Sequence, residues 1–329
     1  MQSLALFYRS VSLARIAPCV LMTLAGCFGD FKKESIPAPT PSPPVVNTAQ
    51  KTTTTPPHNP LNDLAPAVAD AWKSAGATQV GWMNLSHWGS VGVIPESYAT
   101  EDDLPVFVFE KGWTTNPPQA LPDPGFDYGV AFAQSETLPD SLGPFLEYAP
   151  VDHCVAMRLW GNVASIESVN KLNQLPNLHS LALSEVKDLD EMLKPISELK
   201  SLTRLEVSSV NKSDLTDAGL AELEALENLK WLCLTGAQIT NKGMPILSSL
   251  HQLEGLHLAR TDIGIQGIEP LVDLKGLRYL NVHGTGIRDE AGGLVQMNQL
   301  KELVLQRSFD EQELKKIEEA LPDCKIVLP

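Results

Sequence analysis

Across residues 226–282 the apolar positions fall into one pattern stated three times. It reads Leu229-x-x-Leu232-x-Leu234, then Leu253-x-x-Leu256-x-Leu258, then Leu277-x-x-Leu280-x-Val282, each 24 residues after the last. Alternate residues of a strand face opposite sides, so Leu232 and Leu234 point inward while Trp231, Cys233 and Thr235 point out. Between strands the period changes. Leu220, Leu223 and Leu226, and likewise Ile268, Leu271 and Leu274, recur at three-residue steps that suit one side of a short helix. Thr216-Asp217 ahead of Ala218-Gly219-Leu220 offers a capping oxygen for such a helix. Neither the strand nor its return can bury its apolar face alone, so the units must stack on one another.

The register extends both ways. Leu202-x-x-Leu205-x-Val207 and Leu178-x-x-Leu181-x-Leu183 precede it, with three extra residues that place an insertion at 210–214, and Leu300-x-x-Leu303-x-Leu305 follows. Cys154-x-x-Met157-x-Leu159 and Cys324-x-x-Val327 continue the spacing with cysteine in place of the first leucine. That gives eight rungs, with a weaker ninth at Asp127-x-x-Val130-x-Phe132. A fixed period in this range with an L-x-x-L-x-L core resembles the leucine-rich repeat. The Thr261-Asp262-Ile263 and Thr285-Gly286-Ile287 turns are similar to the helix-backed kind found in bacterial leucine-rich repeat lipoproteins. The resemblance covers the chain from about residue 125. It implies an α/β solenoid, with a parallel sheet on the concave side and short helices on the convex side. The insertion around Lys212 and the loss of clear spacing before Cys154 depart from the pattern.

Ahead of the repeats come three further segments. Residues 1–26 hold Arg9 and Arg15, then an apolar run at 16–26 that is too short to span a bilayer and fits a secretory signal. The run ends Leu24-Ala25-Gly26-Cys27, which resembles a lipoprotein lipobox. The resemblance implies cleavage before Cys27, acylation (palmitate among the chains) of that cysteine, and attachment to a bacterial membrane on its periplasmic or surface-facing side. An ordinary signal peptide cut nearby is the alternative. Residues 27–60 form a Pro/Thr-rich linker. Ile36, Val45 and Val46 are its only large aliphatics from residue 36 onward, too few to drive ordering. Residues 61–125 read as an N-terminal α/β cap. Asn62 or Asp63 caps a helix carrying Leu64, Val68, Trp72 and Ala75 on one face, Gly76 ends it, and strands follow at 79–83 and 106–109. Trp72, Trp82, Trp88 and Trp113 belong to this segment, and an open solenoid needs a cover over its first rung. Residues 117–125, with four prolines, join this cap to the repeat domain at 126–329.

Charge narrows the partners. The formal net charge is −15, and loss of residues 1–26 removes Arg9 and Arg15 and no acid, taking it to −17. Nucleic acid demands clustered Lys and Arg, so it is not an expected partner. Nor would an anionic lipid surface hold this chain except through an acyl anchor. Cys154 and Cys324 occupy the same inward position seven rungs apart, roughly 34 Å at about 4.8 Å per rung, which rules out a disulfide between them.

Candidate chemistry is sparse. The sequence holds no G-x-S-x-G, H-E-x-x-H, C-x-x-C, Walker or dinucleotide glycine motif, and Gly284-Thr285-Gly286 sits where every rung turns. His257, His283 and Cys233 lack the fourth ligand and the tight spacing of a metal site. No cofactor or metal is expected. Two functions remain: a monomeric, membrane-anchored scaffold that binds a protein or glycan on the concave face, or an enzyme whose active site lies in 62–113, around His87, Glu96, Glu101, Asp102 and Asp103. The scaffold reading points to the columns flanking the inward leucines. Trp231 and Tyr279 stand two rungs apart, about 10 Å, with Gly255 opening a gap between them. Arg204, His257, Asn281, His283 and Arg260 lie alongside, and aromatic anchors beside polar groups are the composition of a binding hot spot.

Overall fold

A computed structural model describes residues 64–77, 79–83, 93–94, 103–110, 120–132, 142–163, 165–209 and 213–329. The signal sequence, Cys27, the linker, Trp88, Trp113 and inserted residues 210–212 lie outside them. Every described strand and helix belongs to one compact unit that ends at Leu328.

The strands are β1 (Gln79–Met83), β2 (Val93–Ile94), β3 (Leu104–Phe109), β4 (Tyr128–Phe132), β5 (Cys154–Trp160), β6 (Ser180–Ser184), β7 (Arg204–Ser208), β8 (Trp231–Thr235), β9 (Gly255–His257), β10 (Tyr279–Asn281), β11 (Glu302–Val304) and β12 (Lys325–Val327). They form one sheet, running in sequence order from β12 to β3 and then to β1 and β2. Each neighbouring pair from β3 to β12 is parallel, while β1 lies antiparallel to both β3 and β2. A parallel strand every 23 to 27 residues, as in Tyr279 against Glu302 and Arg204 against Trp231, is what the leucine spacing demands. The fold is an α/β leucine-rich repeat solenoid. The weak ninth rung is β4, paired through Val130 with Met157, and β3 extends the same parallel ladder one strand further.

The returns contain α1 (Pro66–Ser74), α2 (Leu142–Tyr148), α3 (Ile166–Val169), α4 (Leu189–Ile196), α5 (Asp217–Leu220), α6 (Met244–Leu247) and α7 (Glu311–Ala320). Other returns are 3₁₀ turns, at Glu269–Asp273 and Gly292–Gln296, and α5 runs directly into another at Ala221–Ala225. The three-residue leucine step explains them: a 3₁₀ helix has 3.0 residues per turn and eclipses i with i+3. Their inward residues and those of the strands make a single core that runs from Trp72 to Leu321. At its first rungs the core is aromatic: Trp72 stacks on Phe107 at 3.9 Å and meets Tyr128 edge-on at 5.2 Å, beside Phe109, Phe132 and Phe145. Helix α1 starts at Pro66 with no side-chain cap, and the expected caps Asn62 and Asp63 lie outside the described residues.

A polar ladder ties each return to the next. Asp190 accepts hydrogen bonds from Thr216 N (2.8 Å) and Thr216 Oγ1 (2.6 Å) one rung on. Asp217 does the same for Thr240 N (2.8 Å) and Oγ1 (2.7 Å), and Asn241 Oδ1 accepts from Gly264 N at 2.7 Å. Glycines make room for these side chains: a Cβ on Gly219, Gly243 or Gly267 would stand 2.3, 2.6 or 2.8 Å from Oδ1 of Asp190, Asp217 or Asn241. Thr216 also caps α5, accepting from Ala218 N at 3.2 Å, in the way the sequence suggests. At the other edge of the sheet the returns end in orphan carbonyls, and cations cover them. Lys200 Nζ donates to Ser197 O and Ala225 O, Lys275 Nζ to Val272 O, and Arg278 to Lys275 O.

The last rung departs from the expected register. Glu302 pairs with Lys325 and Leu303 with Ile326, a spacing of 23 rather than 24, because the return carrying α7 is one residue shorter than the cysteine spacing implies. Ile326 therefore joins the core, Val327 faces away from it, and Cys324 is half-buried instead of filling a leucine position. Cys154, Cys233 and Cys324 are all free thiols. Among the described residues no helix is long and apolar enough to cross a membrane.

Candidate binding face

Outward residues of the strands form three columns, fixed by the ladder. One runs Ala156, Ser180, Arg204, Trp231, Gly255, Tyr279, Glu302, Lys325, and the second Arg158, Ala182, Glu206, Cys233, His257, Asn281, Val304, Val327. A third, at the strand ends, holds Trp160, Ser184, Ser208 and Thr235, followed in the chain pattern by Ala259, His283 and Gln306.

These columns are far less open than the sequence suggests. Trp231 and Tyr279 are each 5% exposed, Arg204 and Asn281 8%, and Glu206 is fully buried. The expected gap over Gly255 is closed. With no side chain there, the two rings lean across the glycine to centroids 5.2 Å apart, and Val304 and Val327 pack against them. The Arg204 guanidinium lies 4.9 Å from the Trp231 ring, a cation–π contact that compensates the loss of water; burial lowers the Arg204 pKa and Glu206 opposes that shift. Trp231 and Tyr279 are thus the support of this face rather than its outermost surface.

A chain of hydrogen bonds runs beside them across three successive rungs, β8 to β10. Cys233 Sγ contacts Thr235 Oγ1 (3.2 Å), Thr235 Oγ1 contacts His257 Nδ1 (3.0 Å), and His257 Nε2 faces Asn281 Nδ2 at 2.9 Å. Asn281 Nδ2 also reaches Tyr279 Oη at 3.3 Å, while its Oδ1 accepts from His283 N at 2.9 Å. That last bond fixes the amide, so Nδ2 is a donor toward His257, and Nε2 must be the acceptor with the proton on Nδ1. Protonating His257 would set two donors against each other. Burial, the largest cause, and the neighbouring His283 push its pKa down to about 4. The Cys233 thiol is pushed up to about 12, first by burial and then by Glu206. A thiol held protonated, with Thr235 between it and a histidine, is no activated nucleophile. The arrangement orients polar groups; it does not generate a base or a thiolate.

A consequence for stability follows from the His257 sign. The folded pKa near 4 lies below the usual 6.5, so between those values the unfolded chain takes up a proton that the folded chain refuses. This contribution is fully present above pH 6.5 and is lost as pH falls toward 4. Allowing for the partial exposure of the ring, wild type should lose about 2 kcal/mol more than His257→Gln between pH 7 and 4.5 in denaturant unfolding.

The strand-exit edge carries the remaining named residue. Gly161, Gly236 and Gly284 take positive φ (64°, 77° and 70°) directly after the third column, a left-handed corner shared by several rungs. Two rungs use another residue there: Glu185 (φ 54°) and Arg260 (φ 62°). Glu185 accepts from Ser209 Oγ at 3.1 Å, whereas the exposed Arg260 lies along Gly284, its Cγ 3.2 Å from where a Cβ would stand. Next to it His283 is half-buried, and its Nδ1, buried, hydrogen-bonds to none of the described residues. The structure thus brings Arg204, Trp231, His257, Tyr279, Asn281, His283 and Arg260 onto one region of β7–β10. The sequence did not single out Thr235, Glu206, Val304 or Val327 as parts of it. Among the described residues no three His, Cys, Asp or Glu groups are placed to hold a metal ion. Of the alternative catalytic segment, His87, Glu96, Glu101 and Asp102 lie outside the described residues, and Asp103 is buried.

No family model and no curated protein matches this chain. Solved structures do match. An internalin C2 from Listeria monocytogenes is 16% identical over 75% of this chain and 97% of its own, with a TM-score of 0.43. An internalin (inlF) from the same organism is 19% identical over 56% of this chain and 58% of its own, with a TM-score of 0.39. TLR13, in a complex with ssRNA13, is 19% identical over 63% of this chain and 31% of its own, with a TM-score of 0.42. The chain therefore spans well under two thirds of the latter two. The fold assignment rests on the strand register itself.

Proposed function

We propose that the protein is a binding scaffold that holds a protein partner on the helix-free face of its sheet, at the strand-exit side of β7–β10. The observation that carries this reading is Arg260. A left-handed conformation costs an L-residue about 1–2 kcal/mol, and the neighbouring rungs avoid that with glycine, yet an exposed arginine is kept beside His283. The corner carries the Arg260 side chain out to the exposed strand-exit edge, where its guanidinium can donate to carboxylate or carbonyl groups of a partner. Around it, His257 and Asn281 are locked by hydrogen bonds and Trp231 by its contacts with the Tyr279 ring and the Arg204 guanidinium, so little side-chain entropy remains to be lost on binding. A sugar would need an open ring face to stack upon, and rings 5% exposed do not offer one, which favours protein over glycan.

The lipobox-like Leu24-Ala25-Gly26-Cys27 supports anchoring through Cys27 to a bacterial membrane, with residues 27–60 as a spacer. The mature chain should partition into detergent and Cys27→Ala should not; unchanged partitioning would remove the anchor from this account. For binding, Arg260→Gly is the informative change, because it relieves the corner. Its melting temperature should equal or exceed that of the wild type while capture of a protein partner from detergent-solubilised envelope falls about tenfold or more. Undiminished capture by Arg260→Gly and by His283→Ala would move the site elsewhere.

A further inference from the structure

The join between α1 and the first rungs is built around a histidine that the binding reading does not use. Segment 121–127 crosses from the cap helix to β4. Leu121 N donates to Tyr148 O at 2.7 Å, Trp72 Nε1 donates to Pro122 O at 3.0 Å, and Tyr128 N donates to His153 O at 2.9 Å. The Tyr128 hydroxyl donates to Pro150 O, and Asp123 Oδ1 accepts from Gly125 N at 2.8 Å to shape the turn, where Gly125 has φ 82°. This segment therefore holds the indole of Trp72, the centre of the aromatic core.

Its side chains meet His153 at the entrance to β5. Asp127 Oδ1 is 3.1 Å from Nδ1 and Asp123 Oδ2 is 3.6 Å from Nε2, so a carboxylate faces each ring nitrogen. A neutral imidazole has one N–H and can satisfy one of them; only the imidazolium addresses both. The charged groups facing the ring are Asp123 and Asp127 from the segment and Asp152 from its own turn, all acids. We propose that residues 121–127 form a proton-dependent strap, closed when His153 is an imidazolium bridging Asp123 and Asp127 and slackened when it is neutral, so that the hold on α1 through Pro122 depends on pH. The hydrogen bond to Asp127, then the charges of Asp123, Asp127 and Asp152 acting against desolvation, raise the His153 pKa above its usual 6.5. The sign follows: a raised folded pKa gives a hold that is complete below pH 6.5 and lost as pH rises through the folded value.

The test is hydrogen exchange on the full chain, corrected for intrinsic rates, with His153 followed by NMR. Protection of the Leu121, Gly125 and Tyr128 amides and the Trp72 indole N–H should fall roughly two- to fivefold as His153 loses its proton, while amides of β6 to β11 stay constant. His153→Gln should abolish the pH dependence, and Asp127→Asn should move its midpoint to lower pH in step with the His153 ring resonances. Asp127 is exposed and His153 is half-buried at the surface, so both variants should fold. Protection that does not change with pH in wild type, or that changes equally in His153→Gln, overturns the proposal.

Discussion

Gly243→Ala is expected to destabilise the protein by about 3 kcal/mol, although it adds only one methyl group, at the N-cap of α6 where the backbone is already right-handed. The added Cβ would stand 2.6 Å from Asp217 Oδ1 and 2.7 Å from Leu220 Cδ1, closer than any relaxed contact. Displacing Asp217 breaks the two hydrogen bonds it accepts from Thr240, and a charge-assisted bond contributes roughly 1.5–3 kcal/mol where it is sheltered. The same carboxylate is thus both the obstacle and the partner. Asp217→Ala alone should cost about 2 kcal/mol, and the double variant should be markedly less destabilised than the sum of the two, because the Thr240 bonds are lost only once and the collision with Oδ1 is gone, leaving the flexible end of Leu220 to yield. Strict additivity in denaturant unfolding would show that Gly243 is tight for some other reason.

Truncation after Leu321 is the second large effect. It removes β12, so β11 loses its parallel neighbour, the core loses Ile326 and Leu328, and the Trp231–Tyr279–Val304 cluster loses Val327. Three half-buried aliphatic side chains at roughly 1 kcal/mol each, with the strand hydrogen bonds, amount to about 4 kcal/mol. An uncovered parallel edge also invites pairing with other chains. A lower melting temperature together with concentration-dependent association is expected by calorimetry and light scattering. A truncated chain that melts unchanged and stays monomeric would contradict the account of the last rung.

How far the sequence was legible depends on which faces of the chain carry a period. Leu229, Leu253 and Leu277 repeat because every rung buries the same inward site, so the parallel sheet could be read from spacing alone. The Thr216-Asp217-x-Gly219 and Thr240-Asn241-x-Gly243 motifs are also spaced by 24, and that repetition signals a ladder between returns. Read within one rung, Asp217 looks like a local cap, and only stacking shows that its partner is Thr240. In the last rung the 24-residue spacing points to Val327 as the inward residue whereas Ile326 takes that site, because either aliphatic suits it and the length of the return is not fixed by the pattern. The outward columns have no period. Nothing in the spacing says that Trp231 and Tyr279 will close over Gly255, since that depends on how far two rings reach across a missing side chain. Likewise the polar chain from Cys233 to Tyr279 joins residues whose neighbourhood was legible but whose tautomer and amide orientation are set by a backbone N–H at His283.

The most direct test of the binding face is a hydrogen-exchange footprint of the full chain with and without a purified partner recovered by capture. Amides at the strand-exit side of β7–β10, from Ser208 and Thr235 to Arg260 and His283, should gain protection, with the returns that carry α3 to α6 unchanged. Protection confined to those returns, with Arg260 and His283 exchanging as in the free protein, would contradict the account.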